Sequence, residues 1–492
     1  MADSPVTLDT DGHWHLGRAV TGIEIDSRRV QPGSVFVAIA GHTFDGHQFV
    51  DEAVRRGAIA LVVEKPIPSV RVPVLQVPST RRAAASLAAT FHGFPGRRLV
   101  VTGVTGTNGK TSVVYWLRHL LHESGHPTGM LSSVQNVTGR DHEEDAHLTT
   151  PEALQIQRAL AEMVDQGLQR AVVEVSSHGL VQHRVDDIDF HTAILTNITR
   201  EHLDYHHTMD NYVAAKADLF TRLLNPEGTA VLNADDPYAQ RILPQGRADV
   251  LTYGVVRGDV RARILEEHPW STRIAVQVGD ANETYSVEVP FPGRYNVYNT
   301  LAAWAGAMSQ GVPSSAIAPL VGSFPEVPGR LEIAAQGDDV TVLVDYAHTP
   351  DGLTQVLQTA RRLLSHTGRL WLVFGARGGR DRGKRPIMGA VAARLADFIV
   401  LTADSPNLES AQCIARELED GLRDEGVLPY AVELDRKRAI AQAVADALPG
   451  DVVLVTGRGP EGEQFFGHET IVRLQDRDAA AQAVRERLDA HR

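Results

Sequence analysis

The sharpest chemical signal in the sequence is a glycine-containing turn between an apolar strand and a helix. Residues Leu99–Thr111 read Leu-Val-Val-Thr-Gly-Val-Thr-Gly-Thr-Asn-Gly-Lys-Thr. Backbone N–H groups in such a turn form a cradle for an anion at the positive end of the helix. Lys110 would neutralise a terminal phosphate, and the Thr111 hydroxyl would contact Mg²⁺. The strict P-loop spacing needs glycine where this chain has Val104, so the match is to the narrower form Gly106–Thr111. The alternative is a tight turn with a solvated lysine.

Three further residues that could take part in binding or catalysis follow the next strands. Glu174 lies in an apolar strand, where a carboxylate needs hydrogen bonds or a cation. Mg²⁺ held by Thr111 would be such a cation, and an arginine is the structural alternative. His202 follows a strand end of the same predicted sheet, where such folds place ligands, although its spacing alone assigns it no metal. Lys216 lies among apolar residues on a helix and would ordinarily extend to solvent.

Alternating strands and helices must position these residues. Strand-like runs at 171–175, 193–196 and 230–232 alternate with helical periodicity at 151–165 and 209–224. This alternation predicts an α/β fold with a mostly parallel central sheet of the P-loop type. Two further alternating runs lie between Arg273 and Val289, around the turn residues 279–282, and predict a β-hairpin added to that sheet.

Two segments predict domain boundaries. His92–Gly96 and Pro328–Arg330 interrupt the periodic pattern with glycine and proline. We therefore predict three domains, over residues 1–97, 98–329 and 330–492. The third contains separate apolar strands and helices and is predicted to be a Rossmann-like α/β domain.

Composition excludes several classes of protein. A formal net charge of −13 argues against general binding to nucleic acid or to an anionic membrane, although a local site can still bind an anion. The single cysteine, Cys413, excludes an internal disulfide. The first residues lack the apolar core of a secretory signal, and no uncharged apolar run approaches the roughly 18–20 residues of a membrane span. We predict a cytoplasmic protein.

Together these residues resemble the motifs of the Mur ligases, and most closely those of the MurE branch, the UDP-N-acetylmuramoyl-tripeptide synthetases. The resemblance covers nearly the whole chain in family order. The segments that carry it are Asp26–Arg28, Pro32–Gly33, Gly41–Gly46, Thr105–Thr111, Glu174–Arg184, Thr199–Tyr212, Lys216, Arg294–Asn299, Gly329–Glu332, Asp345–Asp351 and Arg380–Pro386.

The resemblance implies an ATP-dependent, ADP-forming ligase that joins an amino acid to UDP-N-acetylmuramoyl-L-alanyl-D-glutamate through an acyl phosphate. It implies Lys110, Lys216 and His202 as catalytic residues. The implied ATP-binding residues are Gly106, Thr107, Asn108, Gly109, Lys110, Thr111, Ser112, Asn299 (adenine), Arg330 (phosphate) and Asp345 (ribose). The implied magnesium ligands are Thr111, Glu174, His202 and Lys216, the last as a carbamate derived from CO2.

The resemblance also assigns the two other substrates. The residues implied for the UDP-linked substrate are Ser27, His42, Thr43, Phe44, Thr149, Thr150, Ser176, Gln182 and Arg184. Those implied for the amino acid are Arg380, Asp404, Ser405, Pro406, Asn407, Gly457 and Glu461. Closure of the three domains, with Pro328–Arg330 as the hinge, would exclude water from the acyl phosphate. The expected enzyme is a monomer that binds neither nucleic acid nor a membrane.

The amino-acid region departs from the family pattern. Members that add diaminopimelate carry Asp-Asn-Pro-Arg, whereas this chain reads Asp-Ser-Pro-Asn at Asp404–Asn407. Asparagine cannot offer a carboxylate the charged, two-pronged contact that arginine offers. Arg377, Gly379 and Pro460 are further departures. We therefore predict lysine or another amino acid without a distal carboxylate. The alternatives are an ordinary meso-diaminopimelate enzyme, in which Arg377 supplies the missing charge, and a paralogue that makes a peptide natural product.

Two other functions are less consistent with the sequence. A folylpolyglutamate synthetase would not explain Asp26–Arg28, and a MurF enzyme would not explain Glu174–Arg184. A non-catalytic nucleotide-binding scaffold would be expected to have lost some of the catalytic and magnesium residues, and all of them are present.

Overall fold

A computed structural model describes residues 7–8, 14–15 and 19–490, except 42–43, 69, 141, 147, 244–245, 280–282, 338–339 and 469. Within these residues, strands at 22–76, 100–289 and 332–456 form three separate main sheets. The predicted α/β class with a mostly parallel central sheet is confirmed. The domain limits at 97/98 and 329/330 stay predictions, and they fall between these sheets. No helix among the described residues combines the length and apolar character that a membrane crossing needs.

The first sheet is parallel, with the described strands in the order β3-β4-β5-β6. Strands β4 and β5 are buried throughout, which explains their continuous apolar sequence. The elements of this region are β1 (Thr7–Leu8), β2 (Trp14–His15), β3 (Gly22–Glu24), β4 (Ser34–Val37), α1 (Val50–Arg55), β5 (Ala60–Val63), β6 (Val74–Gln76), α2 (Thr80–Phe91) and 3-10 helices Ser27–Arg29, Gly46–Phe49 and Pro95–Arg97.

The central sheet has the described strands in the order β10-β9-β8-β11-β7-β12-β13-β14-β15-β16-β17. Its elements are β7 (Val100–Thr105), α3 (Lys110–Glu123), β8 (Thr128–Leu131), β9 (Gln135–Val137), β10 (Glu143–Asp145), α4 (Ala153–Asp165), β11 (Arg170–Glu174), α5 (Ser177–Val181), β12 (Phe190–Leu195), α6 (Leu203–His206), α7 (Met209–Asp218), β13 (Leu224–Asn233), β14 (Asp249–Gly254), β15 (Val260–Glu267), β16 (Thr272–Val278), β17 (Thr284–Val289), α8 (Arg294–Met308), α9 (Ser314–Ile317), the π-helix Leu219–Leu223 and 3-10 helices Ala239–Ile242 and Ala318–Ser323.

Strand β7 lies between β11 and β12, and all three run parallel. Their carboxyl ends therefore meet at one edge of the sheet, where α/β folds place ligands. The predicted hairpin is confirmed, because β16 and β17 pair antiparallel. Its predicted turn at residues 280–282 lies outside the described part of the chain.

The third sheet has the described order β18-β19-β23-β20-β21-β22 and is parallel except for β18. Its elements are β18 (Glu332–Gln336), β19 (Thr341–Asp345), α10 (Pro350–Arg361), β20 (Leu370–Phe374), α11 (Lys384–Leu395), β21 (Phe398–Leu401), α12 (Ala411–Asp424), β22 (Ala431–Val432), α13 (Arg436–Asp446), β23 (Val452–Thr456), β24 (Glu463–Phe466), β25 (Thr470–Arg473) and α14 (Asp476–Ala490).

Helices cover both faces of the central sheet, so two hydrophobic cores flank it. Helix α3 contributes Trp116 to one of them. The Trp116 ring stacks between Phe291 and Phe324, with centroid distances of 5.2 and 4.9 Å. Its indole N–H donates to the carbonyl of Pro325 at 3.1 Å. This aromatic stack connects helix α3 to the segment that leads into the third domain.

Candidate functional site

The phosphate loop connects β7 to α3 through two glycines at which a side chain would clash with neighbouring residues. Gly106 has φ +145°, and a Cβ there would lie 1.9 Å from the Thr196 hydroxyl. Gly109 has φ +87°, and a Cβ would lie 2.3 Å from Asn299 Oδ1. The loop therefore packs directly against α8 and the segment after β12. Helix α3 begins at Lys110.

Lys110 folds back over this loop. Its Nζ donates to the carbonyls of Gly106 and Thr107 at 3.2 and 2.9 Å. Burial lowers the pKa of Lys110 from its ordinary value, and Arg330 lowers it further, whereas Glu174 opposes the shift. The side chain is partly exposed and its amine contacts the loop carbonyls, and its role in phosphate binding stays a prediction.

Glu174 ends strand β11 and faces the first turn of α3. Its carboxylate accepts from the Thr111 hydroxyl at 3.2 Å and from both the backbone N–H and the hydroxyl of Ser133 at 2.9 Å. Among the described residues it forms no ion pair with an arginine, so the structural alternative for this carboxylate is wrong. The carboxylate is buried and hydrogen-bonded to the first turn of α3 and to Ser133.

Lys216 is buried, with 1% of its surface exposed, so the expectation that it extends to solvent is wrong. Helix α7 turns this residue inward, where its Nζ donates to the Gly106 carbonyl at 2.7 Å and lies 4.6 Å from the Tyr212 ring centroid. The Tyr212 hydroxyl in turn lies 3.0 Å from the Thr107 hydroxyl. Burial, reinforced by Lys110, lowers the pKa of Lys216 well below its ordinary value, which favours the neutral amine.

His202 lies in the segment after β12 with a left-handed backbone, φ +55°. Its Nδ1 is buried and accepts or donates no hydrogen bond within the described residues. The ring packs edge-on against His178 at 4.6 Å. Burial lowers the pKa of His202 strongly, and it lowers that of His178 to about 4. The neutral imidazole that results is the form that binds metals.

The predicted metal ligands fit a divalent cation that is also held by phosphate oxygens. Thr111 and Glu174 supply hard oxygen donors, and His202 has a buried ring nitrogen without a partner among the described residues. No group of three or more His, Cys, Asp and Glu residues with metal-binding geometry occurs in the described part of the chain. Lys216 would therefore complete the set only as a carboxylate-like derivative.

Residues of the third domain reach the phosphate loop directly. Arg330 donates to the Thr111 hydroxyl at 2.9 Å while its guanidinium stacks on Tyr346. Asn108 donates to Asp351 at 2.9 Å. Asp345, the predicted ribose contact, accepts backbone N–H groups of Leu331 and Ala347 at 2.7 Å each. The cleft that these contacts enclose has a volume of about 1460 Å³.

The cleft lining brings together all the residues predicted for ATP and magnesium, and part of those predicted for the UDP-linked substrate. Thr149, Thr150, Ser176, Gln182 and Arg184 line it. Within this group the Thr150 hydroxyl donates to the Glu174 carbonyl at 2.9 Å, and Arg184 donates to the Thr150 carbonyl at 2.8 Å. This network connects the predicted substrate site to the carboxylate strand.

The remaining UDP-site residues lie elsewhere. Ser27 donates to Glu52 at 2.8 Å inside the first domain, and Phe44 is exposed. Neither lines the cleft. His42 and Thr43 lie outside the described residues, so their predicted role stays a prediction.

Only part of the residues predicted for the amino acid line the cleft. Arg380, Asp404, Gly457 and Glu461 line the cleft, whereas Ser405, Pro406 and Asn407 do not. The Asn407 amide donates to the Gly378 carbonyl at 2.8 Å and its backbone has φ +53°. Asn407 therefore holds the loop through its side chain, and direct contact of these three residues with the amino acid stays a prediction.

Arg377, absent from the predicted site, lies where it can neutralise this region. Its guanidinium is ion-paired with Glu461, and its Nε lies 3.9 Å from Asp404 Oδ1. Asp404 Oδ1 is buried and accepts no hydrogen bond from a described residue. Tyr346 donates to the other Glu461 oxygen at 3.1 Å. In the sequence, Arg377 could be noticed because a charged residue interrupts a glycine-rich motif.

Sequence reasoning also missed a contact between domains. Lys384 is ion-paired with Glu201 at 3.0 Å, and Arg200 with Asp381 at 3.4 Å. Glu201 lies beside His202 in the sequence, and a charged residue next to a candidate ligand was the available signal. Only the fold shows that its partner comes from the start of α11.

Comparison with known proteins shows similarity along the chain. Residues 19–92 match the Mur ligase family catalytic domain, residues 104–307 the Mur ligase middle domain, and residues 329–459 the Mur ligase glutamate ligase domain. A protein of Geobacillus thermodenitrificans named UDP-N-acetylmuramoyl-L-alanyl-D-glutamate–2,6-diaminopimelate ligase is 41% identical over 97% of this chain and 98% of its own length.

Solved structures agree. One of a UDP-N-acetylmuramoyl-L-alanyl-D-glutamate–2,6-diaminopimelate ligase superposes with a TM-score of 0.65 at 30% identity, covering 96% of this chain and 95% of that one. MurF ligase from Thermotoga maritima in complex with ADP, at 20% identity and a TM-score of 0.65 over 97% of this chain and 99% of that one, shares the fold.

Proposed function

The chain belongs to the Mur ligase family, and on that premise we propose that it is a MurE-type ligase of the cytoplasm. It uses ATP to add the third residue to UDP-N-acetylmuramoyl-L-alanyl-D-glutamate and forms ADP. The observation that carries the proposal is the single cleft in which the phosphate loop, a buried carboxylate and the polar residues of the third domain converge. A monomer suffices for this chemistry.

The reaction needs an activated acid because a carboxylate and an ammonium do not condense in water. A carboxylate oxygen of the substrate attacks the γ-phosphorus of ATP, ADP leaves, and an acyl phosphate forms. The neutral amine of the amino acid then attacks the acyl carbon, and inorganic phosphate leaves as the nitrogen loses its proton. Lys110 and Arg330 supply the positive charge that stabilises the transferring phosphoryl group.

Mg²⁺, when bound, would neutralise charge on the phosphate oxygens. Thr111, Glu174 and His202 are the residues that would hold it. Lys216 would join them as a carbamate, formed when its neutral amine attacks CO2 and loses a proton. Two observations support this: the amine has a strongly lowered pKa, and it lies beside Lys110, next to which an anion is stabilised and a second cation is not.

For the amino acid, we propose a diamino acid without a distal carboxylate, such as lysine. Asn407 is uncharged and directs its amide at Gly378, so it offers no cation to a distal carboxylate. Arg377 is already paired with Glu461. Arg380 is exposed in the cleft and suits the α-carboxylate, and Asp404 suits an ammonium. The second candidate is meso-diaminopimelate, which the names of the relatives favour and to which Arg377 could turn.

The experiment is an amino-acid panel with the purified chain, ATP, MgCl2 and UDP-N-acetylmuramoyl-L-alanyl-D-glutamate. Phosphate release and the product mass would both be measured, with Lys110→Met as the inactive control. We expect phosphate release that depends on both substrates and is fastest with lysine or a similar diamino acid. No substrate-dependent ADP formation with any amino acid would overturn the ligase function. A clear preference for meso-diaminopimelate would overturn only the amino-acid assignment.

A further inference from the structure

Two neighbouring residues of the central domain are held by two residues of the third. Arg200 and Glu201 follow strand β12, and they pair with Asp381 and Lys384 at the start of α11. The four residues come from segments more than 180 positions apart in sequence, with separations of 181 for the first pair and 183 for the second. The contact therefore exists only when the two domains lie together as they do here.

The ion pair between Lys384 and Glu201 is the buried one of the two. The side chains of Lys384 and Glu201 are 6% and 5% exposed, whereas Arg200 in the outer pair is 47% exposed. Buried charges are tolerated only when they are paired, because each has lost its water. Lys384 and Glu201 thus stabilise one another only while the domains are together, and each is costly to bury alone. When the domains separate, water can solvate both.

Glu201 also connects this pair to His202. Its Oε1 accepts from Lys384 and lies 3.7 Å from Nδ1 of His202, beyond hydrogen-bond distance. Its Oε2 is buried and has no hydrogen-bond partner among the described residues. His202, the next residue, has the left-handed backbone that non-glycine residues adopt only when their surroundings impose it. Because Glu201 directly precedes His202, holding the Glu201 side chain in place restrains the backbone that carries the histidine ring.

We propose that Lys384 and Glu201 form an interdomain latch that positions His202, so that the ligand set around His202 and Lys216 is complete only when the third domain lies on the central domain. Lys384 and Glu201 are positioning residues in this scheme. The latch explains how the enzyme avoids assembling a competent phosphate site before the amino-acid-binding domain has arrived. The proposal rests on the proposed function for the identity of the ligands that drive closure.

The test uses the full chain and the variants Lys384→Met, Glu201→Gln and the double variant. Arg382→Gln is the matched control, because Arg382 lies in the same segment but pairs with Glu417 of its own domain. Small-angle scattering with a non-hydrolysable ATP analogue and UDP-N-acetylmuramoyl-L-alanyl-D-glutamate reports compaction, and Mn²⁺ titration followed by electron paramagnetic resonance reports the ligand set. Lys384→Arg tests for rescue by a conservative change.

We expect each single variant to lose compaction and to bind Mn²⁺ about 10-fold more weakly or worse, in the range typical of residues that orient metal ligands. The double variant should be no worse than the singles, Lys384→Arg should recover part of the affinity, and the control should match wild type. Because each charge is costly to bury alone, each single variant should melt at a lower temperature than the double variant, whereas a merely structural role would leave the Mn²⁺ affinity of the folded protein unchanged. Wild-type compaction and Mn²⁺ affinity in both single variants would overturn the latch. A wild-type chain that does not bind the UDP-linked substrate would instead overturn the proposed function.

Discussion

Replacement of Lys216 by methionine separates its chemical role from its contribution to stability. Methionine fills a similar volume, so the substitution creates little cavity. The Nζ donates one hydrogen bond, to the Gly106 carbonyl at 2.7 Å, and that carbonyl also accepts from Lys110 at 3.2 Å. The acceptor therefore stays satisfied. Since the lowered pKa favours a neutral amine, no buried ion pair is broken either.

The expected cost to stability is the net value of one hydrogen bond, about 0.5–1.5 kcal/mol. For a unit the size of the central domain, residues 98–329, a melting temperature shift of roughly 2–4 °C per kcal/mol follows. Catalysis should respond far more strongly, because the variant cannot form the carbamate. We expect kcat to fall by about 10²- to 10³-fold, the usual effect of removing a group that stabilises charge in the transition state.

The assay combines coupled ADP release with differential scanning calorimetry. Lys437→Met is the control, because Lys437 is an exposed lysine on α13, remote from the cleft. In Lys216→Ala, which leaves space, added formate or acetate should recover part of the lost rate. Retention of full activity by Lys216→Met would refute the carbamate role. A loss of activity accompanied by unfolding at ambient temperature would refute the argument that the amine is structurally dispensable.

Three further predictions follow from the geometry. Gly109→Ala should raise the KM for ATP by about 10-fold or more, because the new Cβ would lie 2.3 Å from Asn299 Oδ1. The control is Gly125→Ala, which has the same φ of +87° but no atom within 4 Å of the new Cβ, and it should leave the KM for ATP unchanged. If the amino acid is lysine, Arg377→Gly should leave its KM within about 3-fold of the wild-type value. If it is meso-diaminopimelate and its distal carboxylate binds Arg377, the KM for meso-diaminopimelate should rise about 10- to 100-fold, because a charged hydrogen bond is lost. The hydrogen bonds from Arg385 lower the pKa of Glu409 to about 2. Glu409 therefore stabilises the fold at pH values above its ordinary pKa, and this stabilisation is lost as the pH falls from about 5 towards 2. Urea unfolding across this range should show the stability gap to Glu409→Gln closing, and a constant gap would contradict the assignment.

Local pattern was sufficient to predict the fold class and the phosphate loop. Strands buried on both faces are rich in apolar residues, and β7, β11 and β12 are buried at nearly every position and consist mostly of apolar and small residues. The backbone geometry of the turn requires glycine at positions 106 and 109, and these glycines can be read directly from the sequence. No side-chain cap marks the start of α3, so the sequence does not show at which residue the helix begins.

Residues whose environment depends on packing were harder to predict. Lys216 has apolar neighbours in sequence, which suggested a lysine that reaches solvent. Its burial depends on the direction in which α7 packs, and sequence does not show that. Asn407 matched the family's contact position, yet its side chain turns to Gly378 because its backbone is left-handed. Lys384 and Glu201 are distant in sequence, so only the arrangement of the domains brings them together.

The aromatic stack around Trp116 gives the protein a spectroscopic reporter at a useful place. The sequence contains five tryptophans, of which Trp304 and Trp371 are buried in hydrophobic cores and Trp270 is exposed between β15 and β16. Trp116 shares the core of Trp304, but it also lines the cleft and donates to Pro325, close to the segment that joins the third domain. Its emission is therefore expected to change when that segment moves. Stopped-flow fluorescence with the other tryptophans replaced by phenylalanine would give the rate of domain movement without an attached dye.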